Sequence, residues 1–230
     1  MERVLVIGGS RGLGLGFVQS LLDREVYEVH LTARDLQHND DLAALADHPR
    51  LHQHTLDVAC ADSRAALIEE LDGLPFDLVI HNAGIYGPHG LQMGELPEQE
   101  WQKVLNVDTV APLMMAQALH KNLKRGTNPR IAFLTSRMGS IADNGSGGSY
   151  LYRSAKAGLN AAVRSLALDW QADGIATVLL HPGWVRTRMG GSTAPLEVEE
   201  SVRGMLERIR ETNLSNSGRF VDWSGEAIPW

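Results

Sequence analysis

The start of the chain decides the fold, because an apolar run leads directly into a glycine-rich turn: Val4-Leu5-Val6-Ile7-Gly8-Gly9-Ser10-Arg11-Gly12-Leu13-Gly14. The apolar run predicts a strand buried on both faces, and residues 13–23 have the apolar spacing of a helix. Glycines allow a tight turn and close approach of the backbone to a ligand, and a helix N-terminus attracts phosphate. The spacing differs from the commoner G-x-G-x-x-G, and a purely structural turn is the alternative. The strand–turn–helix context nevertheless predicts a phosphate-binding loop.

Strand and helix patterns alternate along the rest of the chain. Further strands are predicted at 28–32, 51–56, 77–81, 131–134, 175–181 and 219–221. Further helices are predicted at 63–71, 101–122, 152–169 and 198–212. No change in composition divides the chain. The alternation predicts one α/β domain over residues 1–230, a Rossmann fold with a doubly wound parallel sheet of about seven strands and helices on both faces.

The end of the second predicted strand bears on the choice of dinucleotide. In a doubly wound sheet this position meets the adenosine ribose, where an acid accepts a hydrogen bond from the free 2′-hydroxyl of NAD. Here the strand ends in Thr32-Ala33-Arg34, and Arg34 together with Arg11 can pair with the 2′-phosphate of NADP. The alternatives are a solvated loop arginine and the competing acid Asp35. The two arginines favour NADP(H) over NAD(H).

Composition excludes several classes of protein. Lys+Arg number 21 against 28 Asp+Glu, which gives a net charge of -7 and argues against a nucleic-acid partner. No stretch approaches the roughly 18 apolar residues of a membrane helix, so no membrane partner is expected. The single cysteine, Cys60, cannot form an internal disulfide; we expect it to be buried and the protein to be cytoplasmic.

Tyr152 and Lys156 are four residues apart in a predicted helix, so a phenol and an ammonium share one face. A tyrosine with its ordinary pKa of about 10 exchanges protons poorly near neutrality. An ammonium about 4 Å away, at an effective dielectric of about 20, would stabilise the phenolate by up to about 4 kcal/mol, or roughly three pKa units. The pair is therefore a candidate for proton transfer, and a helix-surface contact is the alternative.

Several short segments follow the later predicted strands: Asp57-Val58, Asn82-Ala83-Gly84, Thr135-Ser136 and Pro182-Gly183-Trp184-Val185-Arg186-Thr187. With the glycine loop and the tyrosine–lysine pair, they resemble the short-chain dehydrogenase/reductase family over essentially the whole chain. Met138-Gly139-Ser140-Ile141 and the tail from Gly218 to Trp230 resemble its branch of C-factor-like and sniffer-like carbonyl reductases.

The resemblance implies an NADP(H) site and a role for each residue in it. The implied cofactor-binding residues are Gly8, Ser10, Arg11, Gly12, Leu13, Gly14, Arg34, Asp57, Val58, Asn82, Ala83, Gly84, Tyr152, Lys156, Pro182, Gly183, Val185 and Thr187. Ser136 would donate a hydrogen bond to a substrate carbonyl, with Ser140 as the alternative serine. Tyr152 would deliver the proton and Lys156 would tune it. Residues 186–197 would form a lid over the substrate.

One position departs from the family pattern. The family usually has an asparagine in the long helix, which holds a helix distortion near the lysine, and this chain has Asp108 there. Asn106 is two residues earlier, about 200° around the helix, and so points elsewhere. An aspartate can still bond to backbone N–H groups, but its charge would raise the pKa of Lys156 and weaken its effect on Tyr152. Asp108 is therefore included among the candidate catalytic residues.

Candidate substrate-contacting residues are apolar or aromatic. Tyr86, Met138, Tyr150, Trp184 and Met189, with Ile85 beside them, would line an apolar pocket for an aldehyde, ketone or quinone. Core packing is the alternative for Met138 and Trp184.

The remaining expectations concern alternative functions and partners. The alternative to an enzyme is an NADP-binding regulatory or signalling module with little catalytic activity. The nine histidines show no metal-ligand spacing, and His52-Gln53-His54 is a pattern typical of a strand surface, so no metal is expected. As in the family, helices 101–122 and 152–169 would form a homodimer, with a tetramer as the alternative.

Overall fold

A parallel sheet of seven strands runs through the computed structural model, in the order β3-β2-β1-β4-β5-β6-β7. The strands are β1 (Glu2–Ile7), β2 (Tyr27–Ala33), β3 (Leu51–Thr55), β4 (Leu78–His81), β5 (Arg130–Leu134), β6 (Ala176–His181) and β7 (Arg219–Asp222). The structure describes residues 1–37 and 40–230, the side chain of Asp40 excepted. This sheet confirms the predicted α/β class and strand number.

The helices alternate with the strands. They are α1 (Gly12–Leu22), α2 (Asp40–Ala43), α3 (Ala61–Glu70), α4 (Glu98–Leu105), α5 (Ala111–Lys124), α6 (Tyr150–Asp169) and α7 (Val198–Glu211). The predicted helix 101–122 is divided, because Asn106–Val110 forms a π-helical turn between α4 and α5. The short α2 was not predicted.

The central strand β1 is buried on both faces, which explains its unbroken apolar run. Val4 and Val6 face a core cluster built with α1 and α7, whereas Leu5 and Ile7 face a second cluster built with α3, α5 and α6. All four side chains are fully buried. Helices therefore cover both faces of the sheet, as a doubly wound fold requires.

The strand order reverses at β1, which pairs with β2 on one side and β4 on the other. In such sheets a crevice opens at the carboxyl ends of the strands at this switch point, and ligands bind there. The segments singled out in the sequence follow strand ends at this edge: Gly8 after β1, Arg34 after β2, Asn82 after β4, Thr135 after β5 and Pro182 after β6. The topology thus brings dispersed motifs to one side of the sheet.

Two expectations about single residues are wrong. His54 is buried, not at the surface, because α3 covers this end of β3 and Glu70 on α3 bonds to the imidazole. Cys60 is exposed, since it precedes the first turn of α3 rather than facing the core. His30 on β2 is also buried, and burial, with the neighbouring His52 and His54, lowers its pKa to about 3. Its ring is therefore neutral at physiological pH.

Among the described residues, no helix has the length and apolar character needed to cross a membrane. Three apolar side chains are exposed on the helices predicted to form a dimer: Val110 in the π-turn, Met114 on α5 and Leu168 on α6. The homodimer stays a prediction.

Asp77 links β1 to the segment that precedes β5. Its Oδ2 accepts a hydrogen bond from the backbone N–H of Arg3 at 2.7 Å, and its Oδ1 accepts one from that of Thr127 at 2.5 Å. Asp77 is buried, so removing the carboxylate would leave two backbone donors without partners in a region that water reaches poorly.

We therefore expect Asp77→Ala to lower the free energy of unfolding by about 2–4 kcal/mol, because each unsatisfied buried group costs about 1–3 kcal/mol. Urea denaturation at neutral pH measures the loss. Asp72→Ala, at a nearby exposed position, is the control and should change stability by less than about 0.5 kcal/mol. Equal losses in the two variants would contradict the assignment.

Candidate active site

The glycine loop is held by contacts that leave no room for side chains. Gly8 has φ +81°, donates its N–H to Thr32 Oγ1 at 3.1 Å, and accepts a hydrogen bond from Asn82 Nδ2 at 2.7 Å. A Cβ at Gly14 would lie 2.0 Å from the carbonyl oxygen of Gly8. Glycine is thus required for helix α1 to begin so close to β1.

This arrangement suits a pyrophosphate. Arg11 is the residue before α1, and its side chain makes no capping hydrogen bond to the helix N-terminus. The first turn of α1 carries no acidic residue. Unsatisfied N–H groups at a helix N-terminus, with the helix dipole, attract phosphate. Across the crevice, Thr187 Cγ2 lies 3.5 Å from the position of a Cβ on Gly12. The glycine loop therefore faces the segment predicted to hold the nicotinamide.

The part of the crevice predicted to hold the adenosine lies beside β2. The N–H of Gly9 bonds to the carbonyl of Thr32 at 2.9 Å, so the glycine loop and the end of β2 are joined. Arg11 and Arg34 are both exposed at this end, where their guanidinium groups are accessible to an anion. Asp57 and Val58 follow β3 beside it; Asp57 is exposed and Val58 is buried.

Asn82, Ala83 and Gly84 form the floor of the crevice. The N–H groups of Asn82 and Ala83 both donate to the carbonyl of Ile7, at 3.0 and 2.9 Å. A Cβ on Gly84 would lie 3.3 Å from Asp108 Oδ2 and 3.4 Å from Lys156 Nζ. Only glycine leaves the normal clearance between this floor and the charged pair beneath it.

Ser136, Tyr152 and Lys156 come together although they lie on two elements. Ser136 follows β5, whereas Tyr152 and Lys156 lie one turn apart on α6. Ser136 lies close enough to the phenol of Tyr152 to lower the pKa of that phenol, and Lys156 Nζ lies 5.6 Å from the centre of the Tyr152 ring. All three are buried. Ser140 is instead bonded to the carbonyl of Trp230 and to the N–H of Asp143.

Asp108 and Lys156 form a buried ion pair. Asp108 Oδ2 lies 3.0 Å from Lys156 Nζ, and Asp108 Oδ1 accepts a hydrogen bond from the N–H of Ile85 at 2.8 Å. Lys156 Nζ also donates to the carbonyl of Leu134 at 3.2 Å. The aspartate thus bonds to a backbone N–H, as the sequence predicted, and the π-turn that contains it is the expected helix distortion. Asn106 points elsewhere, towards the carbonyl of Ala59 at 3.4 Å.

These charges determine how the pair titrates. Burial lowers the pKa of Lys156, but Asp108 and Tyr152 together outweigh that effect and the pKa is raised. Burial raises the pKa of Tyr152, Asp108 raises it further, and the opposing effects of Lys156 and Ser136 leave it above its ordinary value. The expectation that Lys156 would shift the balance towards phenolate is therefore wrong for the net pKa. Tyr152 is a protonated phenol at neutral pH.

A cavity of about 220 Å³ opens beside Tyr152. Of the predicted substrate residues, Tyr86 and Tyr150 line it, whereas Met138, Trp184 and Met189 do not. The Tyr86 ring stacks on that of Tyr152 with centroids 4.6 Å apart. A larger concavity of about 450 Å³ beside α1 contains none of the predicted residues.

Sequence reasoning missed several residues that line the cavity beside Tyr152, namely Pro88, Leu91, Ser149 and Leu151. Ser149 Oγ lies 2.8 Å from the hydroxyl of Tyr86 and so holds that ring over the cavity. Its position in a Gly/Ser-rich loop before α6 was the available signal, but the loop alone does not reveal the partner.

Residues 182–197 form a closed loop at the end of β6. Gly183 has φ +85°, and a Cβ there would lie 2.8 Å from Leu196 Cδ2. The N–H of Arg186 bonds to the carbonyl of Leu196 at 2.8 Å, and Arg186 forms an ion pair with Glu197. Trp184 and Met189 are exposed on this loop. Its role as a lid stays a prediction.

Known proteins resemble this chain along its length. The family described as short chain dehydrogenase matches residues 2–197. The protein C-signal of Myxococcus xanthus is 44% identical over 156 residues, which cover 68% of this chain and 93% of that protein. The carbonyl reductase Sniffer of D. melanogaster superposes with a TM-score of 0.94 at 33% identity, with 100% of both chains covered. An NADPH-bound carbonyl reductase from chicken fatty liver superposes with a TM-score of 0.92 at 35% sequence identity. That match covers 100% of this chain and 99% of the reductase.

Replacing Asp108 by the isosteric Asn removes a buried negative charge while keeping an oxygen for the N–H of Ile85. Because Asp108 raises the pKa of Tyr152, we expect Asp108→Asn to lower that pKa. Ultraviolet difference titration measures it when each protein is compared with its Tyr152→Phe derivative, which subtracts the other tyrosines. The exposed Asp62→Asn is the control, and an unchanged or higher midpoint in Asp108→Asn would count against the coupling.

Proposed function

This chain belongs to the short chain dehydrogenase family, and from that premise we propose that it reduces the carbonyl group of an aldehyde, ketone or quinone with NADPH. The observation that carries the proposal is the convergence of Ser136, Tyr152 and Lys156 beside a cavity at the carboxyl edge of the sheet. Two carbonyl reductases, one of them bound to NADPH, have the same fold over their full length.

The residues present fit a dinucleotide. Gly14 has no room for a Cβ beside Gly8, and the N-terminus of α1 is open to a phosphate. The cofactor would be held by the glycine loop at its pyrophosphate, by Asn82–Gly84 below it and by Thr187 and the backbone of Val185 at the nicotinamide. NADPH supplies the hydride that such a reduction requires.

Each of the converging side chains has a distinct task in this proposal. The hydroxyl of Ser136 donates a hydrogen bond to the carbonyl oxygen and polarises the C=O bond. As the carbon accepts a hydride, Tyr152 transfers its phenolic proton to that oxygen and becomes a phenolate, which solvent reprotonates. Lys156 would hold the ribose hydroxyls of the nicotinamide nucleotide and would stabilise the phenolate. Asp108 neutralises Lys156 and orients it.

The charge distribution favours reduction over alcohol oxidation at neutral pH. Reduction begins from the phenol of Tyr152, whereas oxidation begins from the phenolate. Because the pKa of Tyr152 is raised, the acid form predominates at neutral pH and the phenolate forms only in alkaline solution. Oxidation should therefore become appreciable only as the pH rises towards that pKa.

A second candidate is an NADP-binding signalling module with little catalytic activity. The likeness to C-signal favours it, as does Asp108, whose charge opposes the effect of Lys156 on the pKa of Tyr152. An assay of NADPH oxidation across aldehydes, ketones and quinones separates the two candidates. Turnover supports the reductase, and binding of NADPH without turnover of any carbonyl supports the module.

Tyr152→Phe removes the transferable proton and keeps the ring that stacks on Tyr86. We expect kcat to fall by about 10²- to 10⁴-fold, the usual contribution of a general acid. Ser136→Ala should lower it by about 10²-fold. NADPH oxidation measures the rates, and fluorescence titration should show unchanged NADPH affinity. Tyr27→Phe, at the far end of β2, should behave as wild type; a fully active Tyr152→Phe enzyme would rule the assignment out.

We also propose that Arg34 and Arg11 select NADP(H) by pairing with the 2′-phosphate. Arg34→Ser should weaken NADPH binding by about 10- to 100-fold, since a hydrogen bond to a charged group is worth about 1.5–3 kcal/mol. NADH binding should change little. Arg24→Ser, at an exposed arginine in the turn before β2, is the matched control. An equal loss of affinity for NADPH and for NADH would show that Arg34 does not bind the 2′-phosphate.

A further inference from the structure

A group of histidines and carboxylates lies between β2, β3 and α3, away from the cavity. It comprises Glu28 and His30 on β2, His52 and His54 on β3, and Glu70 at the end of α3, and we refer to it as the edge cluster. His30 pairs with His52 across the two strands. The reaction proposed above uses none of these residues.

A chain of hydrogen bonds orients the buried ring of His30. Glu70 Oε1 lies 2.7 Å from His54 Nδ1, and His54 Nε2 lies 2.9 Å from His30 Nδ1. A carboxylate accepts only, so in the neutral ring of His54 the proton is on Nδ1 and Nε2 is an acceptor. His30 Nδ1 must then be the donor, and the neutral ring of His30 has a bare lone pair on Nε2.

That lone pair faces a carboxylate oxygen. His30 Nε2 is buried and has no hydrogen-bond partner among residues 1–37 and 40–230, and it lies 3.7 Å from Glu28 Oε1. Arg3 binds the other oxygen of Glu28, with its Nη2 at 2.9 Å, and so turns Oε1 towards His30. Two acceptors thus face each other beside a buried imidazole, an arrangement that a cation between them would stabilise.

His52 completes the group from the solvent side. Its Nε2 lies 3.0 Å from Glu28 Oε1, and its side chain is 45% exposed, so its ring has room to turn and an ion has a path of entry. One potential ligand atom from each of Glu28, His30 and His52 lies within 4.8 Å of those from the other two. Zn²⁺ binds imidazole nitrogen and carboxylate oxygen at about 2.0–2.2 Å, so a modest contraction would bring all three into its coordination sphere.

We propose that Glu28, His30 and His52 bind a divalent transition-metal ion of the zinc class, with water in the remaining position. His54 and Glu70 act as positioning residues, because the second nitrogen of a metal-binding histidine is usually held by such an acceptor, which fixes its tautomer. The ion would join the edge strand β3 to β2. It would bind the folded chain alone, since its ligands come from two strands, and would thereby stabilise it.

The sequence predicts no metal site because its histidines do not have the spacing of metal ligands along the chain. The ligands are set instead by the pairing of β2 with β3, which brings together residues more than twenty positions apart.

Isothermal titration of the full chain, without a polyhistidine tag, with zinc chloride tests the proposal. We expect saturable micromolar binding of one Zn²⁺ per chain, and a rise in Tm of about 5 °C at a hundredfold excess over Kd. His52→Gln, at a half-exposed position that the fold tolerates, should weaken binding at least tenfold. Glu70→Ala should weaken it about tenfold through the orientation of His30.

His48→Gln is the matched control, because it removes a histidine from the turn before β3 outside the edge cluster, and its affinity should equal that of wild type. Absence of saturable binding at millimolar Zn²⁺ would overturn the proposal. So would a His52→Gln affinity within a few-fold of wild type, or an equal loss in His48→Gln, because the ion would then lie elsewhere.

Discussion

An ammonium group buried away from water requires an opposite charge and hydrogen bonds, and that requirement organises the carboxyl edge of this sheet. Lys156 meets it through Asp108 at 3.0 Å and the carbonyl of Leu134 at 3.2 Å. These partners come from the π-turn and β5, while the lysine itself is on α6. Asp108 also accepts a hydrogen bond from the backbone N–H of Ile85, which lies in the segment after β4. One ion pair thus joins four separate segments at the point where the strand order reverses.

The same ion pair determines the proton chemistry of its neighbour. A lysine alone would favour the phenolate of Tyr152, but burial opposes that effect and the charge of Asp108 adds to the opposition. The result is a phenol that keeps its proton at neutral pH beside a serine that can hydrogen bond to an oxygen. This combination is better suited to donating a proton to the oxygen of a carbonyl group during its reduction than to removing a proton from an alcohol.

Much of this could be predicted from sequence because the signals are local. The apolar run of β1, the glycine turn and the Tyr152–Lys156 spacing each specify a short piece of backbone, and the alternation of strands and helices specifies the layers. What sequence missed depends on contacts between distant segments. The net pKa of Tyr152 follows from burial and from Asp108, which lies 44 positions earlier in the chain. The orientation of His30 follows from strand pairing, and the lining of the cavity follows from how the loop at Ser149 folds over Tyr86.

The central claim is that Ser136, Tyr152 and Lys156 act together on one carbonyl group beside the nicotinamide. A crystal structure of the chain with NADP⁺ and a carbonyl compound tests it most directly. We expect the carbonyl oxygen within hydrogen-bond distance of both the Ser136 and Tyr152 hydroxyls, with its carbon facing nicotinamide C4 and Lys156 on the ribose. A complex in which Tyr152 faces away from the nicotinamide, or in which Ser136 is out of reach of the ligand, would contradict it.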